Sequence, residues 1–250
     1  MRAGEQRAWR GGGCPRLWLC LVAAGLLLTG CAALRETPEG FAPLDEREAA
    51  RVLAQLAAAT NGWQLVKFTM ACRVDLPETD THKARTQNFT ATCVWEPGAR
   101  LRFRVRRYQL TVADILYDGT NWYVTDEVHQ RVYRTGQLGR VRIADIPRVF
   151  FRQLEQLPQG WITPLESYTV AASPSAYRLE TITDIFTRQM IFPRRSPLPS
   201  EVMMSTPQGS AIYATLSPPD LTVTPHAAMF LPMTTGYEYY DLDRGERLGP

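Results

Sequence analysis

Histidine, cysteine, serine and carboxylate side chains are the groups that could carry out catalysis in this chain of 250 residues. The three histidines, His82, His129 and His226, lie in predicted turns or directly after a proline, outside any known catalytic motif. The chain has no GxSxG or HExxH pattern, no glycine-rich phosphate loop and no Cys/His cluster with metal-ligand spacing. The sequence therefore predicts a protein that is not an enzyme and needs no metal or cofactor. A hydrolase with a spatially assembled site is the alternative.

The first 30 residues have the pattern of a secretory signal peptide. Basic residues from Arg2 to Arg16 precede an apolar run from Leu17 to Leu28, which is too short to span a bilayer core. The tetrapeptide LTGC that ends this segment resembles the bacterial lipobox, in which the cysteine is diacylated and becomes the new N-terminus. We therefore expect residues 1–30 to be removed, Cys31 to carry the lipid, and residues 31–43 to form a tether.

The charge of the chain also depends on this cleavage. The net charge is +3, and residues 1–30 hold four arginines and one glutamate, so the chain from Cys31 onward is neutral (3 − 3 = 0). A neutral chain gives no reason to expect a nucleic-acid partner. By similarity to enteric lipoproteins, Ala32 rather than aspartate after the cysteine favours the outer membrane of a bacterial envelope, facing the periplasm.

Two further cysteines, Cys72 and Cys93, remain in a compartment that permits disulfides. Each lies in a strand-like run, and a polar, turn-rich stretch from Pro77 to Gln87 separates the two runs. The centre of that stretch is midway between the cysteines, so an antiparallel hairpin would place them opposite each other. We expect a Cys72–Cys93 disulfide, and two buried free thiols are the alternative.

A helix is predicted to open the body of the protein, after Leu44. Asp45 is a suitable N-cap, Glu48 completes a capping-box pattern, and Asn61-Gly62 is typical of a helix end. From Trp63 the apolar period changes to two, which is typical of antiparallel strands with one polar face.

The clearest alternation is in one short run, and a turn follows it. Apolar Leu101, Phe103 and Val105 alternate with Arg102, Arg104 and Arg106. Asp118-Gly119-Thr120-Asn121 predicts a hairpin turn between two more strands. No long linker interrupts the body, so one domain is expected over residues 44–243, with a polar tail at 244–250.

A second helix is predicted between the two groups of strands, from Asp145 to Leu157. Asp145 can cap it and Pro147 lies in its first turn. Its expected apolar face is formed by Ile146, Val149, Phe150, Leu154 and Leu157, and Phe151 is expected to lie off that stripe. Further short strands follow, and their joins are rich in proline.

The order helix, meander, helix, meander resembles the LolA/LolB superfamily of bacterial envelope proteins. The first helix leads directly into a long strand, and Asp118, Gly119 and Trp122 resemble an Asp-Gly turn followed by an aromatic residue. The C-terminal region is similar to the family's ending at Phe230, Pro232, Gly236 and Asp241. The soluble carrier of the family is not lipidated, so Cys31 makes this chain more similar to membrane-anchored members.

This resemblance implies a mainly β (α+β) fold: an incomplete antiparallel β-barrel, or half-barrel, with helices as a lid over an apolar cavity. A lipid or an acylated protein would be the ligand, held by buried apolar area rather than by catalytic groups. The expected cavity walls are Leu101, Phe103, Val105, Trp122 and Val124, and the expected lid residues are Val149, Phe150 and Leu154.

Two alternatives stay open. The arginine row at 102, 104 and 106 could contact anionic lipid headgroups, or it could be the solvated outer face of a strand. The protein as a whole could bind lipids for lipoprotein transport or outer-membrane biogenesis, or it could be a protein-interaction or stress-sensing module, since an envelope-stress regulator has a LolA-like domain.

Overall fold

A computed structural model describes residues 40–80, 83–142, 148–163 and 166–248. Residues Phe41–Pro250 form one compact unit, while the predicted domain boundaries at 44 and 243 stay predictions. Its α-helices are α1 (Glu46–Ala58) and α2 (Arg148–Gln156). Its strands are β1 (Ala42–Pro43), β2 (Val66–Leu76), β3 (Arg85–Glu96), β4 (Arg100–Arg107), β5 (Leu110–Tyr117), β6 (Trp122–Asp126), β7 (Arg131–Thr135), β8 (Thr169–Ala172), β9 (Ala176–Ile182), β10 (Thr187–Pro193), β11 (Glu201–Ser205), β12 (Ala211–Leu216), β13 (Glu238–Asp241) and β14 (Glu246–Leu248).

All of these strands belong to one sheet, in the order β1-β8-β9-β10-β11-β12-β2-β3-β4-β5-β6-β7-β13-β14. Neighbouring strands are antiparallel except for β7 and β13, which are parallel. The end strands β1 and β14 do not pair with each other, so the sheet is open. The fold is therefore the incomplete, almost wholly antiparallel β-barrel with helices that the sequence predicted.

The alternation of residue types along each strand gives the sheet an apolar inner face and a polar outer face. On β4, Leu101, Phe103 and Val105 are buried, whereas Arg102, Arg104 and Arg106 point to the opposite side. On β2, buried and exposed residues alternate strictly over the first nine positions. The inner face of the curved sheet therefore holds the main core.

Helix α1 covers the inner face of strands β8 to β10. The side chain of Asp45 accepts a 2.8 Å hydrogen bond from the amide of Glu48, which confirms the predicted N-cap. Val52 and Leu56 are buried against apolar residues of those strands, including Leu179. The helix forms because its apolar residues recur at helical spacing, and it stays in place because that stripe closes one part of the core.

Helix α2 covers the inner face of the other group of strands. It is followed by a short 3-10 helix, Leu157–Gln159. Phe151, Leu154 and Leu157 are at most 4% exposed and pack on the sheet. The prediction that Phe151 lies off the apolar stripe is wrong, because the concave sheet surrounds this short helix widely enough to bury both edges of the stripe.

A C-terminal segment, residues 217–231, crosses the outer face and is called the strap below. It begins with a 2.9 Å hydrogen bond from the amide of Ser217 to the carbonyl oxygen of Thr69, and Asp220 forms a backbone bridge with Lys67. It ends where Phe230, 5% exposed, packs with Leu65 and other apolar residues on the outer side of the sheet. The strap therefore lies over part of the polar outer face, and a groove is formed between the two.

Across the described ranges, no helix is long and apolar enough to cross a membrane.

Candidate functional site

The expected cavity walls lie together on the inner face. Leu101, Phe103 and Val105 on β4 are 0%, 0% and 4% exposed, and Trp122 and Val124 on β6 are 4% and 0% exposed. Strand β5 pairs with both β4 and β6 and joins their inner rows into one apolar surface. This surface belongs to the same core cluster as the apolar residues of α2.

The expected lid residues belong to α2. Leu154 is 4% exposed and Phe150 is partly buried against the sheet. Val149 lies in the first turn of α2, but its side chain is outside the described part of the structure. The backbone of Asp145 and Pro147, the expected start of the helix, also lies outside the described residues. The wall and lid roles themselves stay predictions.

The space beneath α2 is almost filled. Two voids remain, of about 60 Å³ and about 20 Å³, and Phe150 lines both of them. The larger is bordered by Met70, Met190 and Met204, and the smaller by Cys72 and Val105. Ligand pockets are usually about 300–1,000 Å³. In this conformation α2 therefore occupies the volume that an acyl chain would need.

A buried polar cluster ties α2 to the sheet. Arg188 on β10 faces inward, and its side chain is 7% exposed. Its guanidinium donates hydrogen bonds to the carboxylate of Glu166, to the side-chain oxygen of Gln153 on α2, and to the hydroxyl of Tyr168. The Nε atom of Arg188 has no hydrogen-bond partner in the described part of the chain. The cluster lies at the border of the larger void, so any movement of α2 must break the Arg188–Gln153 contact.

Cys72 and Cys93 are free and buried, and the predicted disulfide is wrong. In the β2–β3 pairing, Cys72 lies opposite Phe89 and Cys93 lies opposite Phe68. The two cysteines are therefore offset by four residues, roughly 13 Å along the strand, which is beyond disulfide reach. The reason is that the turn is not centred on the polar stretch between the strands. Burial raises the pKa of the Cys72 thiol to about 12.

On the outer face, the arginine row of β4 is only partly solvated. Arg102 is 12% exposed, and its Nε and Nη2 atoms donate to the carboxylate of Asp114 at 2.8 Å each. Its Nη1 atom donates to the carbonyl oxygen of Met229 in the strap at 2.9 Å. Arg104, 40% exposed, shares the same carboxylate at 3.2 Å, while Arg106 is exposed. Of the two alternatives for this row, the solvated outer face therefore does not hold at Arg102, because the strap covers it.

The outer side has open grooves, and a further groove of about 610 Å³ lies by the end of α2, lined by Trp122, Glu155 and Pro158. One, of about 640 Å³, lies between the strap and strands β2 to β4. Another, of about 990 Å³, borders β2, β3, β11 and β12. Arg106 lines both grooves. The sequence analysis missed these grooves, because no local pattern shows that the strap crosses this face.

The histidines do not assemble a hydrolase site among the described residues. The Nδ1 atom of His129 lies 2.7 Å from the carboxylate of Asp126 in an exposed turn, and no serine hydroxyl bonds to this ring in the described ranges. The Nδ1 atom of His226 accepts a 3.1 Å hydrogen bond from the amide of Ala228. His82 lies outside the described residues.

The predicted signal peptide and Cys31 also lie outside the described residues.

No protein-family model matches the chain, and no curated protein matches it. Among solved structures, a LolA superfamily protein from Nitrosomonas europaea is 9% identical, with a TM-score of 0.46 over 74% of this chain and 97% of that protein. A DUF1329 family protein from Desulfovibrio piger is 12% identical, with a TM-score of 0.42 over 75% and 98%. The MucA/MucB complex of Pseudomonas aeruginosa matches at 9% identity and a TM-score of 0.37 over 74% and 61%.

Proposed function

We propose that this protein is a membrane-anchored envelope lipoprotein that binds an acyl chain of a lipid or of an acylated protein between α2 and the inner face of the sheet. The observation that carries the proposal is the pair of voids on the two sides of Phe150. Phe150 of this short helix and Ile212 of β12 line both voids, so a small outward movement of α2 would join them into one apolar channel.

The chemistry of the inner face fits an acyl chain. The walls are made of aliphatic, aromatic and methionine side chains, and methionine adapts its shape readily to a flexible ligand. An acyl chain that enters gains about 0.8 kcal/mol for each CH₂ group removed from water. This gain would offset the loss of the apolar contacts that α2 makes in the closed conformation.

In this proposal the Arg188 cluster controls the outward movement of α2. That movement breaks the Arg188–Gln153 hydrogen bond, while Glu166 and Tyr168 still pair with the guanidinium. Breaking a buried pair completely costs about 3–5 kcal/mol, so a partner that keeps most of the cluster intact lowers the cost of opening. The Arg188–Gln153 hydrogen bond is therefore one replaceable polar contact, in addition to the apolar contacts that hold α2 on the sheet.

Binding of a fluorescent fatty acid, cis-parinaric acid, to residues 41–250 tests the proposal, because this segment forms its own compact unit. Phe150→Ala should strengthen binding by joining the two voids, and Leu154→Trp should weaken it by filling the space. Tyr213→Ala, on the exposed side of β12, is the matched control and should leave binding unchanged. Absence of binding in wild type and in Phe150→Ala would contradict the proposal.

The anchor is supported by the signal-peptide and lipobox pattern. In this proposal Cys31 holds the protein on the outer membrane, and residues 32–43 form a tether that allows the half-barrel to face the periplasm. Cys31→Ala should move the protein from the membrane fraction to the soluble fraction. Mass spectrometry of the N-terminal peptide should show a diacylated cysteine, and an unmodified Cys31 in the mature protein would contradict this part of the proposal.

A second candidate function, docking of an envelope protein partner, is favoured by a cluster of exposed apolar residues. Five large apolar side chains, each at least 47% exposed, lie at three hairpin turns: Tyr108, Leu110, Val128, Ile182 and Ile185. Because the intervening strands are all antiparallel, the β4–β5, β6–β7 and β9–β10 turns lie at the same end of the sheet. Single exposed apolar residues are ordinary, but a group on one rim marks an interaction surface.

A photo-crosslinker, p-benzoylphenylalanine, in place of Tyr108 tests this candidate in whole cells. A crosslink to one defined protein supports docking. Crosslinks to lipid alone, or the same pattern from a control crosslinker at Tyr213 on the outer face, contradict it.

A further inference from the structure

The 640 Å³ groove beneath the strap combines positively charged and hydrogen-bond-donating side chains with an apolar lining of Val94, Val223, Ala228 and Met229. Strand β2 contributes Lys67 and Thr69, β3 contributes Thr92, and the strap contributes His226. Strand β4 contributes the arginine row at 102, 104 and 106. The groove is on the opposite side of the sheet from α2 and is independent of the proposed acyl-chain site.

The positive charge in this groove exceeds the negative charge around it. Asp114 is the one carboxylate that Arg102 and Arg104 share, and it is 2% exposed beneath them. Hydrogen bonds from Thr222 lower the pKa of the Asp220 carboxyl in the strap, and the positive charge of Lys67 lowers it further. Four cations against these two carboxylates leave an excess of 4 − 2 = +2.

Donor groups remain unused at the groove surface. The Nη1 atom of Arg104 bonds to no described residue, and Arg106 has no ion-pair or hydrogen-bond partner in the described part of the chain. The Nδ1 atom of His226 accepts from the backbone, so the proton of the neutral ring is on Nε2, which is then a donor. Two guanidinium groups, an ammonium group and an imidazole N–H therefore line one cleft.

We propose that this groove binds a phosphate-bearing ligand, with Lys67, Arg104 and Arg106 as the phosphate contacts. A planar guanidinium donates two parallel hydrogen bonds to phosphate oxygens, and such charge-assisted bonds are about twice as strong as neutral ones. Arg102 is a positioning residue, because its bonds to Asp114 and to Met229 hold β4 and the strap at the width of the groove. The volume, about 640 Å³, is that of a small-molecule pocket.

The phosphate could belong to a soluble metabolite or to a lipid headgroup, and the experiment separates these sources. Calorimetric titration of the full-length chain in dodecyl maltoside uses inorganic phosphate and glycerol 3-phosphate in one arm. The other arm uses mixed micelles that contain phosphatidylglycerol. Binding in the first arm identifies a soluble phosphate ligand, whereas binding in the second alone identifies a headgroup, and either result supports the site if it depends on the groove residues.

The variant K67Q/R106Q tests that dependence. It should weaken binding by at least about tenfold, because hydrogen bonds between charged groups are lost. The control R51Q/R195Q removes two exposed arginines elsewhere and leaves the same net charge, so it should bind as wild type does. Thermal unfolding should be the same for the two variants within about 1 kcal/mol, because all four side chains are exposed.

Absence of binding in both arms, or equal losses in the two variants, would overturn the proposal. Equal losses would mean that net charge rather than the groove attracts phosphate. The result is separable from the acyl-chain proposal, because K67Q/R106Q changes no residue of the inner face and should leave binding of cis-parinaric acid unchanged.

Discussion

The two faces of strand β4 have very different surroundings, although residues on opposite faces are adjacent in sequence. Phe103 is fully buried in a core with voids of about 60 and 20 Å³. Its neighbour Arg104 borders an open groove of about 640 Å³. The proposed inner site is closed and would have to open to accept a ligand, whereas the proposed outer site is already an open groove. The comparison teaches that strand alternation can place two unlike sites back to back on one sheet.

The coverings of the two faces explain this difference. On the inner face, α2 inserts apolar side chains into the concavity of the sheet and fills it. On the outer face, the strap is held at its ends, by the Lys67–Asp220 bridge and by Phe230, and leaves a space between them. An apolar helix packs down onto an apolar surface, whereas the strap is bound to Arg102 near one end and leaves the longer, more exposed side chains of Arg104 and Arg106 at the surface of the groove.

The largest expected effect concerns the reactivity of thiols on the two faces of β2. Cys72 points inward, and burial raises the pKa of its thiol to about 12, which lowers its thiolate fraction about a thousandfold at pH 8. Burial also raises the pKa of Cys93 well above its usual range. Alkylation of residues 41–250 by iodoacetamide should therefore be more than about a thousandfold slower in the folded than in the unfolded state.

A cysteine introduced at Thr69, on the exposed outer side of β2, should react at nearly the rate of a free thiol. Two reactive thiols in the urea-unfolded wild-type segment would confirm that Cys72 and Cys93 are not bonded to each other, whereas no reactive thiol would contradict the β2–β3 register.

The raised thiol pKa values also set the sign of the pH dependence of stability. Stability is retained below the unfolded thiol pKa of about 8.5 and lost as the pH rises above it, because only the unfolded chain releases these protons.

The second prediction compares adjacent residues of β4. Phe103→Ala removes a fully buried ring from the core and should lower the free energy of unfolding by about 3–5 kcal/mol. Arg104→Ala removes one of two guanidinium groups that share Asp114 and should cost about 1 kcal/mol. Urea unfolding followed by tryptophan fluorescence measures both. Similar losses for the two variants would show that the outer contacts are as important for stability as the core.

The sequence predicts the inner face of β4 better than it predicts the outer face. The period-two alternation of β4 and the Asp118-Gly119 turn are local signals, so the burial of Leu101, Phe103 and Val105 on one face of β4 could be predicted from the sequence alone. The Asp45 cap and helix α1 were predicted for the same reason. The incomplete antiparallel barrel was implied by the resemblance of the element order to the LolA/LolB superfamily.

Non-local features could not be predicted. The register of β2 and β3 depends on packing across the whole sheet rather than on the polar stretch between them, so the Cys72–Cys93 pairing was wrong. The burial of Arg102 depends on Asp114 and on a strap more than 100 residues further along the chain. Phe151 is buried because the sheet is concave, and the apolar pattern of a helix gives no information about the curvature of the sheet.

The third prediction tests whether the outer face has its own buried anchor. Asp114→Ala leaves Arg102, 12% exposed, without its carboxylate and should destabilise the protein by about 3 kcal/mol. Asp75→Ala, which removes the partner of the exposed Arg73, is the matched control and should cost less than about 1 kcal/mol. The measurement is the urea midpoint at neutral pH. If the two variants lose equal stability, the Asp114 pair is only a surface ion pair and the two faces differ less than the structure indicates.

The smallest expected effect is at the turn where the inner and outer rows of β4 both end. Tyr108 and Gln109 have positive φ angles of 48° and 67°, which the tight turn between β4 and β5 requires and which side chains with a Cβ adopt at a cost. Gln109→Gly should remove that strain and stabilise the protein by about 0.5–1 kcal/mol, after the larger backbone entropy of glycine in the unfolded state is subtracted. Leu110→Gly, one residue further on in strand β5, should destabilise the protein by a similar amount.

Because the turn lies outside both proposed sites, Gln109→Gly should raise the urea midpoint without changing the binding of cis-parinaric acid or of phosphate. A change in either affinity would mean that the two faces of β4 are coupled through the turn rather than independent.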